Sequence, residues 1–261
     1  MTIPAWFINL DRSTDRRAYM ERHIQELGIA VDRFSAIDAS NLSDAEVANW
    51  KDETSNLSKG ELCCFLSHRS IWEKIAVGDA DYGAIFEDDV LLSPDIKDFL
   101  DTTDWIPKNA GLIRLETTFQ EVMVGRPLAE LCNHRELRPL RTLHWGSAGY
   151  VVSKEIAVRM LQKSQKISLP ADWFKFDPAF GFKPTQIVPA LCVQQQFYHE
   201  TFLPSAANES SLEQARHNRA RETRPKGIAL INREIMRIPK QIRRFILSSY
   251  FGVRRIRVDF R

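Results

Sequence analysis

One short stretch restricts the possible folds of this chain more than any other. Residues 82–95 read YGAIFEDDVLLSPD, in which an apolar, β-branched and aromatic run typical of a buried strand leads directly into Glu87, Asp88 and Asp89. Side chains alternate along a strand, so Glu87 and Asp89 should lie on one side and Asp88 on the other. No basic residue lies close to them in the sequence. Because a buried acidic cluster needs a counter-charge, the fold must supply one at this strand end.

Strand and helix patterns alternate along the chain. A capping box, Ser58-x-x-Glu61, predicts a helix over about residues 59–76. Residues 39–57 read as a helix-containing loop and residues 117–145 as irregular or hairpin-like. Further strands are predicted at residues 5–10, 32–38, 111–116, 148–153 and, with a break at Pro189, 186–193. This order predicts an α/β fold with a mixed, mostly parallel sheet flanked by helices and a ligand site at the carboxyl ends of its strands.

A hard divalent cation is one reason for placing three carboxylates together. Mg²⁺ and Mn²⁺ take oxygen ligands and often share their shell with substrate phosphates. Asp89 is the first candidate ligand, with Glu87 or Asp88 assisting. The alternative is a strand that reaches the surface, where all three acids are solvated. Their position directly after an apolar run favours the metal site.

Charge is divided unevenly along the chain. Residues 216–261 hold 14 Lys and Arg against 3 Asp and Glu, whereas residues 1–215 hold 22 against 31. An acidic body with a basic tail indicates a polyanionic partner for the tail. Apolar residues of the tail recur in steps of three and four at Ile228, Ile231, Ile235, Ile238, Ile242 and Phe245. We expect residues 213–261 to form a basic amphipathic helical tail, kinked at Pro239, that binds an anionic membrane surface or packs on the protein.

Several classes of protein are disfavoured by the sequence. No stretch approaches the apolar length of a membrane-spanning helix, and no export signal is visible. The cysteines show no metal-type spacing, so we expect four reduced thiols in a cytosolic protein: Cys63, Cys64, Cys132 and Cys192. Zinc, helix-turn-helix and RNA-binding patterns are missing, so nucleic acid is not an expected partner.

Several segments, in matching order over about residues 5–205, resemble glycosyltransferase family 25. The family's GE-x-GC-x-LSH helix and (I/L)-x-EDD strand are similar to GELCCFLSHRSIW and YGAIFEDDV, at residues 60–72 and 82–90. Its INLDRR-x-DR opening is similar to FINLDRSTDRR, at residues 7–17. Its later G-x-x-AY and P-(V/I)-D segments are similar to WGSAGYVVSKEIA and LPADW, at residues 145–157 and 169–173.

The resemblance implies a GT-A-like nucleotide-sugar transferase fold, here residues 1–212, with the tail of residues 213–261 outside it. It also implies a UDP-sugar donor, Mn²⁺ or Mg²⁺, and inversion to a β-linkage. Bacterial members extend lipopolysaccharide or lipooligosaccharide, so the expected reaction moves a hexose, galactose first, to a lipid-linked oligosaccharide. We expect a cytoplasmic enzyme, peripheral on the cytoplasmic face of the inner membrane. The alternative is a non-catalytic nucleotide-sugar or glycan-binding module of the same fold.

Three sets of residues are expected to carry this chemistry. Asp172 is the candidate base for the acceptor hydroxyl, with a helix N-cap as its structural alternative. Asp88 and Glu87 are expected to assist in catalysis, and Glu87 could instead accept from hydroxyls of the donor. The expected donor-binding residues are Asn9, Asp11, Arg12, Arg16, His68, Gly146 and Ser147. The expected metal ligands are Asp89, Glu87 and His199, the last with a surface loop as its alternative.

Overall fold

The computed structural model describes residues 1–142, 146–198 and 252–261. Its helices are α1 (Thr14–Leu27), α2 (Asp44–Trp50), α3 (Lys59–Val77), α4 (Ile96–Leu100), α5 (Lys154–Lys163) and α6 (Ala171–Phe176). Its strands are β1 (Ala5–Asn9), β2 (Asp32–Ser35), β3 (Tyr82–Glu87), β4 (Val90–Leu92), β5 (Leu112–Arg114), β6 (Glu116–Thr117), β7 (Glu121–Val124), β8 (Ala129–Leu131), β9 (Arg135–Pro139), β10 (Gly149–Ser153), β11 (Thr185–Val188), β12 (Cys192–Gln194) and β13 (Arg254–Arg257). Within these ranges, every helix is too short or too polar to cross a membrane.

An eight-stranded sheet in the order β2-β1-β3-β10-β5-β11-β9-β8 forms the centre of the fold. The pairs β1–β2, β1–β3 and β5–β11 are parallel. The other four pairs are antiparallel, because β10 and β9 each run against both of their neighbours. The expected α/β fold with a mixed sheet is confirmed. The expected excess of parallel pairs is not found, since the two reversed strands lie inside the sheet and not at its edges.

Two of the predicted strands divide between this sheet and a smaller one. The chain leaves the large sheet after β5 and after β11 and continues as β6 and β12, which form a three-stranded sheet with β4. Proline cannot donate a hydrogen bond to a strand ladder, and the predicted break at Pro189 is confirmed. Because β4 directly follows the acidic triplet, this second sheet brings Glu116 and Gln194 towards it.

Apolar packing on both faces fixes the position of β3. Ile85 packs among residues of α3 and α5 on one face, whereas Ala84 and Phe86 pack among residues of α1 and α4 on the other. Helix α3 begins at the predicted capping box, in which Glu61 Oε2 accepts from the backbone N–H of Ser58 at 2.9 Å. A strand buried on both faces has a fixed register, so the residues at its end also have a defined place.

The final ten residues, 252–261, pack on the rest of the domain. Strand β13 pairs antiparallel with β7. The carbonyl of Val258, which is 1% exposed, accepts from Thr117 Oγ1 at 2.6 Å. The expectation of a helix is therefore wrong for residues 254–257, because alternating Val, Arg and Ile side chains suit pairing with the open edge of β7. The predicted amphipathic segment, residues 228–249, lies outside the described residues.

Val258→Ala should lower the free energy of unfolding by about 1–3 kcal/mol, because it leaves a cavity directly after β13, where the chain meets the core. The matched control is Arg254→Ala, at the start of β13, whose exposed side chain should contribute less than about 0.5 kcal/mol. Urea denaturation at equilibrium measures both changes. Equal effects of the two substitutions would contradict the packing of this segment.

Candidate active site

The carboxyl ends of β1, β3 and β5 meet at one edge of the large sheet. These strands run in the same direction, whereas β10, between β3 and β5, runs the other way and starts at that edge. Asn9 and Glu87 therefore lie near residues 146–148, which precede β10. The backbone N–H of Glu87 donates to the carbonyl of Ala148 at 2.9 Å. Polar residues from several distant segments are collected here, which makes this edge the candidate active site.

The three consecutive carboxylates point in two directions. Gln194 Nε2 donates to Glu87 Oε2 at 3.3 Å and to Asp89 Oδ1 at 3.2 Å, so these two acids share one side. Asp88 Oδ2 instead accepts from Asn9 Nδ2 at 2.7 Å. This is the alternation expected at a strand end, and it leaves Glu87 and Asp89 together on one side.

Arg16 of α1 supplies a counter-charge to two of these acids. Its Nη1 donates to Asp88 Oδ1 at 3.0 Å and to Asp89 Oδ2 at 3.3 Å. Burial lowers the pKa of the guanidinium, but the two carboxylates outweigh burial and raise it. Burial and the charge of Glu87 raise the pKa of Asp89 to about 7, which Arg16 offsets only in part. The cluster thus remains short of positive charge.

His68 lies behind Glu87 and is completely buried. Its Nδ1 is 3.0 Å from the hydroxyl of Tyr150, and its Nε2 is 3.5 Å from Glu87 Oε1. Trp72 Nε1 donates to the same Tyr150 hydroxyl at 2.8 Å. Burial lowers the pKa of His68 to about 4, so the imidazole is neutral at pH 7. His68 therefore orients Glu87 by hydrogen bonding and does not neutralise it.

The loop of residues 146–148 connects three carboxylates. Its donors are Gly146 N to Asp172 Oδ2 at 3.1 Å, Ala148 N to Glu116 Oε2 at 2.9 Å, and Ser147 Oγ to Glu87 Oε1 at 3.0 Å. Gly146 has a φ of 101°, and a Cβ atom there would lie 2.2 Å from Glu116 Oε1. Only glycine permits this approach. The small residues predicted to come close to a ligand thus come close to carboxylates.

Asp172 lies inside the first turn of α6, and Pro170 is the N-cap residue of that helix. The N-cap alternative for Asp172 is therefore not what the structure shows. The side chain is 2% exposed and accepts from the loop at Gly146. Asp172 and Glu87 thus both accept hydrogen bonds from the loop of residues 146–148.

Lys175 is a second buried cation, one turn after Asp172 on α6. It is completely buried, its Nζ lies 3.9 Å from the ring centre of Tyr150, and within the described ranges Nζ has no hydrogen-bond partner. Burial lowers the pKa of Lys175 to about 8. Burial raises the pKa of Glu87, but the hydrogen bond from His68, the charge of Lys175 and the hydrogen bond from Ser147 outweigh burial and lower it below its usual range. Glu87 therefore stays ionised.

Glu116 is a fifth acid of this edge, and it was not predicted. Arg114 Nη2 donates to Glu116 Oε1 at 3.1 Å, but burial still raises the pKa of this carboxyl to about 7. With all five ionised, the carboxylates of the edge face three cations within the described ranges, a shortfall of two positive charges. The acids are Glu87, Asp88, Asp89, Glu116 and Asp172, and the cations are Arg16, Arg114 and Lys175.

Three predicted residues lie beside this cluster or outside the described residues. Asp11 is exposed, and hydrogen bonds from Arg33 and Ser35 lower its pKa. Arg12 forms an ion pair with Asp38. His199 falls outside the described residues. The remaining predicted residues, from Asn9 to Asp172, are brought to the one edge.

Three residues of the site had weaker signals in the sequence. Glu116 ends an apolar strand as Glu87 does, but a single acid is a common strand end. Gln194 follows a late strand in a run of three glutamines, which carries no information about its partners. Lys175 stands between two phenylalanines, and this apolar setting was the available sign of burial.

The fold and the site now define the class of protein. The chain matches the sequence profile described as glycosyltransferase family 25 (LPS biosynthesis protein) over residues 2–175, which include the acidic triplet and Asp172. The protein is a glycosyltransferase. It belongs to glycosyltransferase family 25, and the resemblance noted in the sequence is confirmed.

Relatives share most of the chain. It is 32% identical over 234 residues to LgtE, a lacto-N-neotetraose biosynthesis glycosyltransferase of Neisseria meningitidis serogroup B, with 83% of each chain covered. It is 30% identical over 225 residues to LgtB of the same biosynthesis in N. meningitidis serogroup A, with 80% of each covered. A solved glycosyltransferase involved in glycosylation of the major capsid of PBCV-1 is 11% identical, with a TM-score of 0.42, covering 80% of this chain and 98% of that one. The matches to LgtE and LgtB thus cover more of the chain than the family profile does.

Asp89→Asn should change the dependence of stability on pH. The folded state raises the pKa of Asp89 to about 7, so it binds this proton more tightly than the unfolded chain does, whose Asp pKa is about 4. The contribution of the Asp89 carboxyl to the free energy of unfolding is complete below about pH 4 and is lost as the pH rises to about 7. Between pH 5 and 8 the wild type should lose about 1–3 kcal/mol relative to Asp89→Asn.

Urea denaturation with a chelator present measures this difference at both pH values. Asp104→Asn, at an exposed acid, serves as the matched control and should follow the wild type. The interpretation fails if Asp89→Asn loses stability with pH as steeply as the wild type does.

Proposed function

We propose that this chain transfers a hexose from a UDP-sugar to a hydroxyl of a lipopolysaccharide or lipooligosaccharide saccharide, with a divalent metal and inversion to a β-linkage. The observation that carries the proposal is the pair Glu87 and Asp89, joined by Gln194 within a cluster that is short of two positive charges. The two Neisseria relatives are named for the biosynthesis of an oligosaccharide, which favours a saccharide acceptor. Galactose is the first donor sugar to test.

The chemistry of the donor set fits Mn²⁺ or Mg²⁺, which prefer carboxylate oxygens. Asp89 and Glu87 would hold the ion, with His199 as a proposed third ligand. When bound, such an ion supplies Lewis-acid stabilisation to the diphosphate leaving group. The two excess negative charges of the cluster equal the charge of one divalent cation, and this balance supports the assignment.

The donor-binding residues are proposed to act in two ways. Asn9 and Arg16 contact Asp88 and hold the acidic cluster in place, and the charge of Arg16 also favours a diphosphate at this edge. Asp11 and Arg12 lie just after β1, at an exposed position where they can contact the ribose or the uracil. His68, Gly146 and Ser147 orient carboxylates, as their hydrogen bonds indicate.

Asp172 is the proposed general base. The acceptor hydroxyl gives its proton to this carboxylate while its oxygen forms a bond to the anomeric carbon of the donor. The bond from that carbon to the diphosphate breaks, and the leaving group keeps the electron pair. Attack from the face opposite the leaving group inverts the configuration. The hydrogen bond from Gly146 N fixes the carboxylate of Asp172 beforehand.

A panel of UDP-sugars with Mn²⁺, Mg²⁺ or EDTA tests the proposed function. We expect turnover of one UDP-hexose that needs the metal and rises when a saccharide acceptor is added. The product linkage, read by NMR, should be β. Binding of UDP without turnover of any donor would favour the non-catalytic module instead.

Asp172→Asn should lower the rate of transfer by roughly two to four orders of magnitude, the usual contribution of a general base, and leave UDP binding unchanged. The matched control is Asp177→Asn, at the other end of α6, which should transfer at nearly the wild-type rate. Transfer assays and calorimetry with UDP measure the two quantities. Transfer by Asp172→Asn within a few-fold of wild type would assign the base to another residue.

We also propose that residues 228–249 bind an anionic membrane surface and so hold the enzyme beside a lipid-linked acceptor. The support is the spacing of apolar and basic residues in this segment. The described residues before and after this segment meet, since the rings of Tyr198 and Phe260 are 5.6 Å apart, and β13 pairs with β7 of the catalytic domain. Shortening the chain would remove β13 as well, so substitutions test this proposal better than truncation.

Five changes to Gln, at Arg233, Arg237, Lys240, Arg243 and Arg244, should weaken binding to anionic vesicles by roughly three to four orders of magnitude, since each cation near such a surface contributes about 1 kcal/mol. Co-sedimentation at low salt measures this change, with neutral vesicles and high salt as controls. Equal, salt-insensitive sedimentation of the wild type and the variant would reject the membrane role and favour packing of the segment on protein.

A further inference from the structure

A second set of metal-ligand side chains lies beside the acidic cluster. Cys64 and His68 are one turn apart on α3 and share a face of that helix, and Glu87 approaches them from the end of β3. The sulfur of Cys64, an imidazole nitrogen and a carboxylate oxygen all lie within 4.8 Å of one another. In the part of the chain that the structure describes, no other group of three His, Cys, Asp or Glu side chains converges in this way.

The surroundings of His68 suit a metal ligand. Its Nδ1 lies 3.0 Å from the Tyr150 hydroxyl, to which it can donate when the imidazole carries its proton there. In that tautomer Nε2 offers its lone pair to an ion, in place of the N–H with which it orients Glu87 Oε1, 3.5 Å away, when no ion is bound. A histidine that binds a metal usually donates its other N–H to a polar partner, which fixes the ring. Tyr150 is such a partner, and Trp72 Nε1 holds it at 2.8 Å.

The chemistry of the three ligands indicates which ion they select. A thiolate, an imidazole and a carboxylate, with a fourth position open, form a set that Zn²⁺ accepts, whereas Mn²⁺ and Mg²⁺ prefer oxygen. We propose that Cys64, His68 and Glu87 form a binding site for a thiophilic divalent cation such as Zn²⁺. Cys64 and Glu87 are partly exposed, so an ion can reach them.

Binding there should inhibit sugar transfer, and this second step rests on the proposed function. Glu87 belongs both to this set and to the pair with Asp89 that Gln194 joins. A carboxylate committed to an ion beside Cys64 is drawn away from Asp89 and from the oxygen-ligand site. Thiophilic cations would thus inhibit the enzyme without occupying the site of the activating metal.

Lys175 limits how tightly such an ion binds. Its buried ammonium acts on the charges of both Cys64 and Glu87, and Nζ has no hydrogen-bond partner within the described residues. A fixed positive charge beside the set repels a second cation. Replacing Lys175 by Met, which has a similar volume and suits the aromatic surroundings, removes that repulsion and should strengthen binding.

Cobalt titration of the full chain tests the site directly, because Co²⁺ bound to a thiolate gives a charge-transfer absorption that oxygen ligands do not give. The wild type should show this absorption with one equivalent of Co²⁺, and Zn²⁺ should abolish it by displacement. Cys64→Ser should lose it, and Lys175→Met should show it at a tenfold or more lower concentration of Co²⁺. Cys132→Ser, at an exposed thiol, and Asp89→Asn, in the oxygen-ligand pair, should both keep it.

The site is rejected if the wild type gives no thiolate absorption, if Cys64→Ser keeps it, or if Cys132→Ser loses it. Zn²⁺ added to a transfer assay then tests the inhibition, which should begin at lower Zn²⁺ in Lys175→Met. Full transfer with the site saturated would reject the inhibitory role and leave the site standing. Absence of turnover in any condition would reject the proposed function, while the cobalt spectrum still decides the site.

Discussion

The packing of five carboxylates at one edge of a sheet is the constraint on which the rest of the structure depends. Burial of like charges is unfavourable unless cations accompany them, and here each cation comes from a different element. Arg16 arrives on α1, Arg114 on β5 and Lys175 on α6. These elements lie far apart in the sequence, so the acids can be buried only after the helices have docked. The site and the fold therefore form together.

Neutral groups at this edge orient the acids, and the cations offset only part of their charge. His68, Ser147 and Gln194 all contact Glu87, which gives that carboxylate a single defined position. Fixed hydrogen bonds of this kind lower the cost of reorganisation when charge moves during a reaction. The remaining charge deficit includes Glu87 and Asp89, the two acids proposed to hold a cation.

Features set by local sequence could be predicted, and features set by distant partners could not. The alternation of Glu87, Asp88 and Asp89, the capping box of α3 and the break at Pro189 each follow from a few neighbouring residues. The partners of the acids depend on which helix docks where, so Arg16 and Lys175 could not be assigned to them. Residues 254–257 were included in the expected helical tail. Their pairing with β7 could not be foreseen, because β7 lies more than a hundred residues earlier. Strand pairing over such distances leaves no local trace beyond alternating side chains.

The late return of the chain to the domain affects when the protein can finish folding during its synthesis. Val253 and Val258 are buried, so the core remains incomplete until these residues have left the ribosome. Until then the edge of β7 is unpaired, and open strand edges invite contact with other nascent chains. Residues 199–251 must also be synthesised before β13, which delays completion of the core. Slow translation of the last part of the chain should therefore increase the fraction of the protein that aggregates. It should leave the activity of the molecules that do fold unchanged.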